Sequence, residues 1–177
     1  KKLLLILLCL PMIGFGQGWI RGYVDAYAYS VDQTNDGGYI LAGGISTSNN
    51  NSDIWLLKTD GQGNQQWVNT FGTAERDVCH TLKQTTGGCY ILAGYIGETV
   101  SSDGEIWVSK VDSFGNSIWS NTYGPGRSIY SIEQTNDGGF IFAGTGEKIL
   151  KIDTNGNLEW SHNYDSLEDI IHLTKTL

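Results

Sequence analysis

Residues 33–43 read QTNDGGYILAG, and almost the same eleven residues return as QTTGGCYILAG at 84–94 and as QTNDGGFIFAG at 134–144. The period of about 50 residues indicates a tandem repeat. A second shared segment follows each copy and contains the pattern Asp-x-x-Gly-Asn-x-x-Trp. The second segments are DIWLLKTDGQGNQQW (53–67), EIWVSKVDSFGNSIW (105–119) and KILKIDTNGNLEW (148–160).

Each repeat divides into four short runs that are rich in Ile, Val, Leu and aromatic residues and are separated by Gly, Asn and Asp. Such runs predict β-strands joined by turns, and we call the four strands a, b, c and d. In the second repeat they fall at about 77–84, 89–96, 105–111 and 117–123. No window has the apolar period of an amphipathic helix, and the 24 glycines also disfavour helices.

The run Ile-Trp-Leu-Leu at 54–57 is apolar at every position, so the strand that contains it should be covered on both faces. Four antiparallel strands repeated about every 50 residues are typical of propeller blades, which stack face to face. The sequence therefore predicts an all-β, propeller-like array of four-stranded antiparallel blades, with three complete repeats and flanking half-blade strands. The approximate repeats are 24–72, 73–124 and 125–164, with a partial repeat at 165–177.

The first residues have the pattern of a secretory signal peptide. Lys1 and Lys2 precede the apolar run LLLILLCLPMI at 3–13, and a small-x-small triplet follows at 14–16. The run is shorter than the roughly 20 apolar residues that span a bilayer. We predict a signal peptide at 1–16 and a repeat domain at 17–177 that is secreted or lies at the cell surface, with no membrane span after cleavage. The alternative, a lipoprotein signal modified at Cys9, is disfavoured because Leu8 stands where a small residue is expected.

The charge balance of the chain argues against a nucleic-acid partner. The chain has 11 Lys and Arg against 19 Asp and Glu, which gives a formal net charge of −8. Proteins bind phosphate backbones through clustered basic residues, whereas these are scattered singly among carboxylates. We therefore expect no nucleic-acid partner.

The predicted strand order is permuted at both ends of the chain. A lone strand d at Trp19–Tyr23 precedes the first full repeat, and a lone strand a at Asp169–Leu177 follows the third. Propellers have four to eight blades. Three repeats with two half-blades thus indicate a fragment of a longer chain or an imperfectly closed ring, whose open edges would favour oligomers.

The units GGYILAG, DIWLLKTD and GNQQW resemble the secreted, propeller-like tandem repeats of bacterial surface and exported proteins. The resemblance covers residues 17–177. Many of those proteins carry a C-terminal sorting domain for type-nine secretion, and no such domain is recognisable among the 177 residues. The resemblance implies a propeller-like fold outside the cytoplasm; such repeats accompany adhesins, uncharacterised exported proteins and some polysaccharide hydrolases.

The Asp-x-x-Gly-Asn segment is the strongest candidate for a metal site. In the third copy, Asp153, Asn155 and Asn157 alternate as calcium ligands would, but Gln62 and Phe114 replace the middle ligand in the other copies. No Glu follows at the spacing of a bidentate ligand. We interpret the segment as a c–d turn in which Asp accepts backbone N–H bonds and Gly takes a positive φ. We expect no metal and no cofactor.

The titratable side chains form no recognisable catalytic pattern. The histidines at 80, 162 and 172 lack metal-binding or catalytic spacing. His80 aligns with Tyr29 and Tyr130, which favours a half-buried ring at that repeat position. No Gly-x-Ser-x-Gly elbow or phosphate-binding glycine loop occurs. We therefore predict that the chain is not an enzyme.

Cys79 and Cys89 flank a turn that we predict at Thr85–Gly88. In a regular hairpin about that turn, residue 84 faces 89 and residue 79 faces 94, and alternation sends the two thiols to opposite faces. We expect no disulfide, and two small buried side chains instead.

Four tryptophans recur at one repeat position, which favours packing between blades over stacking on carbohydrate. They are Trp19, Trp67, Trp119 and Trp160.

These observations favour an extracytoplasmic, non-catalytic binding or adhesion module whose partner is a glycan or a surface protein. The alternative is the N-terminal or accessory part of a secreted polysaccharide hydrolase, although a carboxylate pair such as Asp103 and Glu105 has no recognisable counterpart. A third hypothesis is a structural stalk.

The b–c and d–a connections share one end of an antiparallel meander, and they vary most between repeats. Long polar loops lie within Gly43–Lys58 and Gly94–Lys110, whereas Gly144–Lys151 has almost none. Variation on one face of a repeat array favours a binding surface, although unconstrained solvent loops would vary as well. The predicted ligand-binding residues are Ser46, Thr47, Asn49, Asn50, Arg76, Glu98, Ser101, Asp103 and Arg127.

Overall fold

The computed structural model describes residues 25–47, 51–99, 104–126, 129–144 and 148–163. These residues form twelve β-strands and contain no helix. The strands are β1 (Ala26–Gln33), β2 (Tyr39–Ser46), β3 (Ser52–Thr59), β4 (Gln65–Phe71), β5 (Arg76–Gln84), β6 (Tyr90–Glu98), β7 (Glu105–Val111), β8 (Ser117–Pro125), β9 (Ile129–Gln134), β10 (Phe140–Gly144), β11 (Lys148–Ile152) and β12 (Leu158–Asn163). The predicted signal peptide and the lone strands at 19–23 and 169–177 lie outside the described residues.

The strands form three antiparallel sheets of four strands, each a simple meander in chain order. We call them blade 1 (β1–β4), blade 2 (β5–β8) and blade 3 (β9–β12). The predicted fold class is confirmed, and the four strands predicted for the second repeat match β5–β8 to within two residues at each end. No helix in the described part of the chain is long and apolar enough to cross a bilayer.

The blades stack through strands that are buried on both faces, as the run at 54–57 predicted. Along β2, Ile40 and Ala42 pack in the core shared with blade 2. Tyr39 and Leu41 alternate with them and pack on the opposite face of blade 1. Each large aliphatic side chain buried in this way contributes about 1.5–3 kcal/mol. The period-two alternation along β2 thus supplies buried apolar side chains to both faces of blade 1.

The QTNDGG motif at residues 33–38 forms the a–b turn of blade 1. Gly37 has φ +80°, a left-handed conformation that glycine adopts without steric cost. The backbone N–H of Asn35 donates a hydrogen bond of 2.8 Å to Oε1 of Gln84 in the next blade. Thr86 N–H makes the equivalent 3.0 Å bond to Gln134 Oε1. The glutamine of the motif therefore connects neighbouring blades.

The c–d turns have the predicted Asp-capped structure. Asp60 Oδ1 accepts hydrogen bonds of 2.8 Å from the backbone N–H groups of Gln62 and Asn64. Asp112 and Asp153 accept the corresponding bonds in their turns. The three aspartate carboxylates therefore stabilise the c–d turns by accepting backbone hydrogen bonds.

The recurring tryptophans pack between blades where the structure describes a following blade. Trp67 of blade 1 lies against Gly115 in the c–d turn of blade 2, and Trp119 lies against Gly156 of blade 3 in the same way. Asn69, two residues after Trp67, donates a 3.0 Å hydrogen bond to Gly115 O. Interblade packing is thus confirmed for Trp67 and Trp119.

The hairpin between β5 and β6 differs from the regular one that we predicted. Gln84 pairs with Tyr90 rather than with residue 89, whereas Cys79 pairs with Gly94 as predicted. A one-residue bulge between Cys79 and Thr81 makes the two registers compatible. Both cysteines are free thiols, and Cys79 is buried, but the prediction that Cys89 is buried was wrong because its side chain is half-buried.

Candidate functional site

The strand-a bulge recurs in all three described blades. The register shifts between Ala28 and Ser30 in β1, between Cys79 and Thr81 in β5, and opposite Ala143 and Gly144 in β9. A bulge redirects the extra side chain and is common next to functional sites. The extra residues are Tyr29, His80 and Tyr130.

The three extra residues meet because β1, β5 and β9 lie side by side. The His80 ring centroid is 5.4 Å from the rings of Tyr29, Tyr95 and Tyr130. Tyr29 and Tyr95 meet it edge to face, and Tyr130 stacks on it at an interplanar angle of 12°. We call these four residues the inner aromatic cluster.

The rim of the inner aromatic cluster faces solvent. Tyr29 is 55% exposed and Tyr130 is 39% exposed, although both are large aromatic side chains. His80 is half-buried between them, so the half-buried ring position predicted for His80 is confirmed. Exposed aromatic faces on a rigid sheet are suited to stacking against a ligand.

The His80 imidazole is held in its neutral form. Burial, together with the nearby Arg76 guanidinium, lowers the pKa of His80 to about 4. Its Nδ1 atom is buried and has no hydrogen-bond partner within the described part of the chain. His80 therefore contributes an uncharged ring surface near neutral pH.

An ion pair borders the inner aromatic cluster. Arg76 Nη1 lies 2.6 Å from Glu98 Oε2, and Arg76 Cζ lies 5.7 Å from the centroid of the Tyr95 ring. Burial and a hydrogen bond with Glu98 raise the pKa of Tyr95. Burial alone would lower the pKa of Arg76, but the bond to Glu98 and the nearby Tyr95, Glu98 and Tyr29 groups together outweigh it and the pKa is raised. The guanidinium thus stays charged, and 46% of its side chain is exposed.

The first b–c loop rests on the connection that leads into β5. Asn51 Nδ2 donates a 2.7 Å hydrogen bond to Ala74 O, and Ser52 Oγ donates one of 3.1 Å to Asp77 O. The buried Asp77 carboxylate accepts bonds from Thr73 and, at 2.7 Å, from Gly97 N–H. These bonds hold the start of β5, and therefore Arg76, against the ends of its neighbouring strands.

The structure brings together two of the predicted site residues, Arg76 and Glu98. Ser46 and Thr47 lie exposed at the end of β2, in the loop that contacts the same connection. The other predicted site residues, Asn49, Asn50, Ser101, Asp103 and Arg127, lie outside the described residues.

Sequence reasoning did not assign the inner aromatic cluster to the site. The available signal was the alignment of His80 with Tyr29 and Tyr130, which we interpreted as structural. Rings about 50 residues apart in sequence gave no sign that they would touch.

The cluster and the ion pair supply stacking surfaces and hydrogen-bond donors. The Glu98 carboxylate beside the cluster already accepts a hydrogen bond from Arg76. The described residues include no group of three or more His, Cys, Asp or Glu side chains placed to hold a metal ion. The arrangement is suited to holding a polar ligand that has a flat apolar face.

Two solved structures are similar to this chain in fold. A protein of unknown function from Bacteroides caccae matches with a TM-score of 0.57 and 16% identity, over 82% of this chain and 49% of that chain. The WD40 β-propeller domain of Doa1 matches with a TM-score of 0.55 and 15% identity, over 82% of this chain and 43% of that chain. This chain therefore spans less than half the length of either structure. No protein-family model and no curated protein matches it.

Proposed function

We propose that the chain is an extracytoplasmic, non-catalytic binding or adhesion module that recognises a glycan. The observation that carries the proposal is the inner aromatic cluster, in which one bulged position from each of the three described blades supplies a ring beside Arg76 and Glu98. The signal-peptide pattern at 1–16 supports a place outside the cytoplasm.

The chemistry of the cluster favours a sugar over a purely apolar ligand. A pyranose has a flat C–H face that stacks on an aromatic ring and hydroxyl groups around its edge. Tyr29 and Tyr130 offer exposed rings, and the partly exposed Arg76 retains N–H donors beyond the one that Glu98 accepts. A ligand seated on the rings would thus find hydrogen-bond donors at their border.

Glycan-array binding of the full chain tests this proposal. We expect Tyr29→Ala and Tyr130→Ala each to weaken binding of the best glycan by at least about tenfold, because each removes a stacking surface worth of order 1 kcal/mol or more. Leu158→Ala is the matched control, since Leu158 is 50% exposed on β12, at the opposite edge of blade 3 from β9, which carries Tyr130. Binding that both tyrosine variants retain in full would contradict the assignment.

The b–c loops provide a second test of the same site. We expect shortening of the Ser46–Ser52 and 98–103 loops to the length of the third repeat's connection to abolish binding, with little change in Tm, because β10 and β11 of the third repeat pair normally across that shorter connection. If the shortened variant bound the glycan with undiminished affinity, the loops would not be part of the binding site. The bound glycan is also assayed for shorter products, and their release would contradict the non-catalytic part of the proposal.

A further inference from the structure

A second cleft lies between blade 1 and blade 2, at the other end of the strands from Arg76 and Glu98. Its volume is about 660 Å³, within the usual range for small-molecule sites. β5 begins at Arg76 and ends at Gln84, and Gln84 lines this cleft, so the length of β5 separates the cleft from the ion pair. A ligand here would occupy a site distinct from the inner aromatic cluster.

One wall of the cleft carries an exposed aromatic side chain that the fold does not require. Phe114 is 72% exposed at the tip of a c–d turn and lines the cleft together with Trp67. Its backbone N–H donates to the turn aspartate, as those of Gln62 and Asn155 do at the same repeat position. Because polar residues form the same turn, the exposed phenyl ring is not explained by folding.

The floor of the cleft holds charges that cancel each other. Lys58 is buried, and its Nζ lies 2.8 Å from Asp36 Oδ2 and 3.0 Å from Gln66 Oε1. The Asp36 side chain remains 54% exposed, and the hydrogen bond from Lys58, with that from Thr34, lowers its pKa to about 2. The cleft therefore presents an ionised acceptor at Asp36 and an amide N–H₂ donor at Gln66.

The Lys58–Asp36 ion pair favours a neutral ligand over a charged one. A cation drawn to Asp36 would also approach the Lys58 ammonium, and an anion drawn to Lys58 would also approach the Asp36 carboxylate. The net charge of −8 disfavours anions further. A neutral ligand with paired hydroxyls and an apolar face satisfies the carboxylate, the amide and the phenyl ring together.

The corresponding position between blades 2 and 3 serves as an internal comparison. There Gly87 replaces Asp36, Ile118 replaces Gln66, and Asn155 replaces Phe114. The fold thus forms this kind of interface without the three groups, and among the described interfaces they occur together only between blades 1 and 2.

We propose that the cleft between blades 1 and 2 binds a neutral sugar unit, with its ring stacked on Phe114 and its hydroxyls bonded to Asp36 and Gln66. The proposal rests on the cleft alone and does not depend on the inner aromatic cluster.

Saturation-transfer NMR and calorimetry of the full chain test the proposal. The probes are glucose, galactose, mannose, N-acetylglucosamine, cellobiose, maltose and lactose, with choline and glucuronate as charged probes. We expect a neutral sugar to bind saturably, and Phe114→Gln and Gln66→Ile each to weaken that binding by at least about tenfold. Both variants adopt residues found at the same position of another repeat, which protects the fold. Ile118→Ala, which trims an exposed apolar side chain on β8, is the control and should leave affinity unchanged.

Three outcomes would overturn the proposal: no neutral sugar binds, a charged probe binds most tightly, or Phe114→Gln retains the wild-type affinity. Tyr29→Ala separates the two sites. If it abolishes sugar binding while Phe114→Gln does not, the cleft proposal fails and the inner aromatic cluster stands.

Discussion

At the scale of single residues, the repeat positions have diverged while their backbone stayed the same. Lys58 and Lys151 are buried and paired with Asp36 and Asp137. The equivalent Lys110 instead lies with its Nζ 6.0 Å from the centroid of the Phe140 ring in the next blade, because Gly87 replaces the aspartate. His80 is a similar substitution, since it replaces a tyrosine with a ring that can become charged.

The pKa of His80 predicts how stability depends on pH. Its folded-state value of about 4 is lower than the ordinary 6.5, so the stabilising contribution is present above pH 6.5 and is lost as the pH falls towards 4. We expect wild type to lose about 1–2 kcal/mol more unfolding free energy over that range than His80→Tyr, allowing for partial exposure of the ring. Tyrosine is the residue of the other two repeats at this position.

Urea denaturation at several pH values between these limits measures the difference. The comparison uses only the slope of the unfolding free energy against pH in each protein. A pH-independent change in packing caused by the substitution therefore does not affect the result. Equal slopes in the two proteins would show that His80 is not the titrating group.

At the scale of elements, the turns have two different relations to the rest of the molecule. The a–b turns of blades 1 and 2 are joined to the next blade by a hydrogen bond from a backbone N–H to a glutamine side chain, whereas the c–d turns of blades 2 and 3 receive a tryptophan from the preceding blade. Glycine serves both kinds of turn by adopting a positive φ, but only in the second kind does it also leave room for a neighbouring ring. Glycine therefore has two separate roles in these turns: it adopts the positive φ, and in the c–d turns it also leaves space for the tryptophan ring.

Two glycines of blade 2 separate these effects, since Gly88 and Gly115 both have φ +81°. We expect Gly88→Ala to cost about 1 kcal/mol of unfolding free energy from backbone strain alone, because nothing lies within 4 Å of the added Cβ. Gly115→Ala should cost about 1–3 kcal/mol more, because its Cβ would clash with Asn69 Nδ2 and would lie 2.8 Å from Trp67 Cζ3, both on blade 1. Urea denaturation of both variants checks this, and equal losses would mean that the interblade contact yields freely.

At the scale of the whole molecule, two of the three hydrophobic cores among the described residues span two blades, and the third lies on the outer face of blade 1. One core combines residues of blades 1 and 2, such as Leu56 and Tyr90, and another combines residues of blades 2 and 3, such as Ile91 and Phe142. A single four-stranded sheet of this kind has two apolar faces to bury, so its stability depends on its neighbours.

The position of a tryptophan in this stack predicts its energetic importance. Trp119 packs against blade 3, whereas the equivalent Trp160 on β12 is 40% exposed. We expect Trp119→Ala to cost about 2–4 kcal/mol of unfolding free energy and Trp160→Ala about 1 kcal/mol or less. The measurement is chemical denaturation of the full chain followed by far-ultraviolet circular dichroism. A loss at Trp160 as large as that at Trp119 would indicate that Trp160 also packs in an interface.

The sequence by itself determined the period, the four strands of each repeat, the tight turns and the face-to-face stacking. These features depend on local hydrogen bonding in the turns and on the alternation of side chains between the two faces of each strand. Both can be inferred from short segments such as 33–43 and 54–57. The Asp-capped c–d turn was predictable for the same reason, since all of its partners lie within five residues.

Only the tertiary structure decided which side chains share a site. The bulge at His80 shifts the register by one residue, which a regular two-residue period cannot indicate, and it places the ring between Tyr29 and Tyr130. Phe114 likewise joins Asp36 in one cleft because blade 2 packs on blade 1. Contacts between blades depend on how whole sheets rotate and pack, and that geometry is set by the summed shape of many side chains rather than by any segment of the chain.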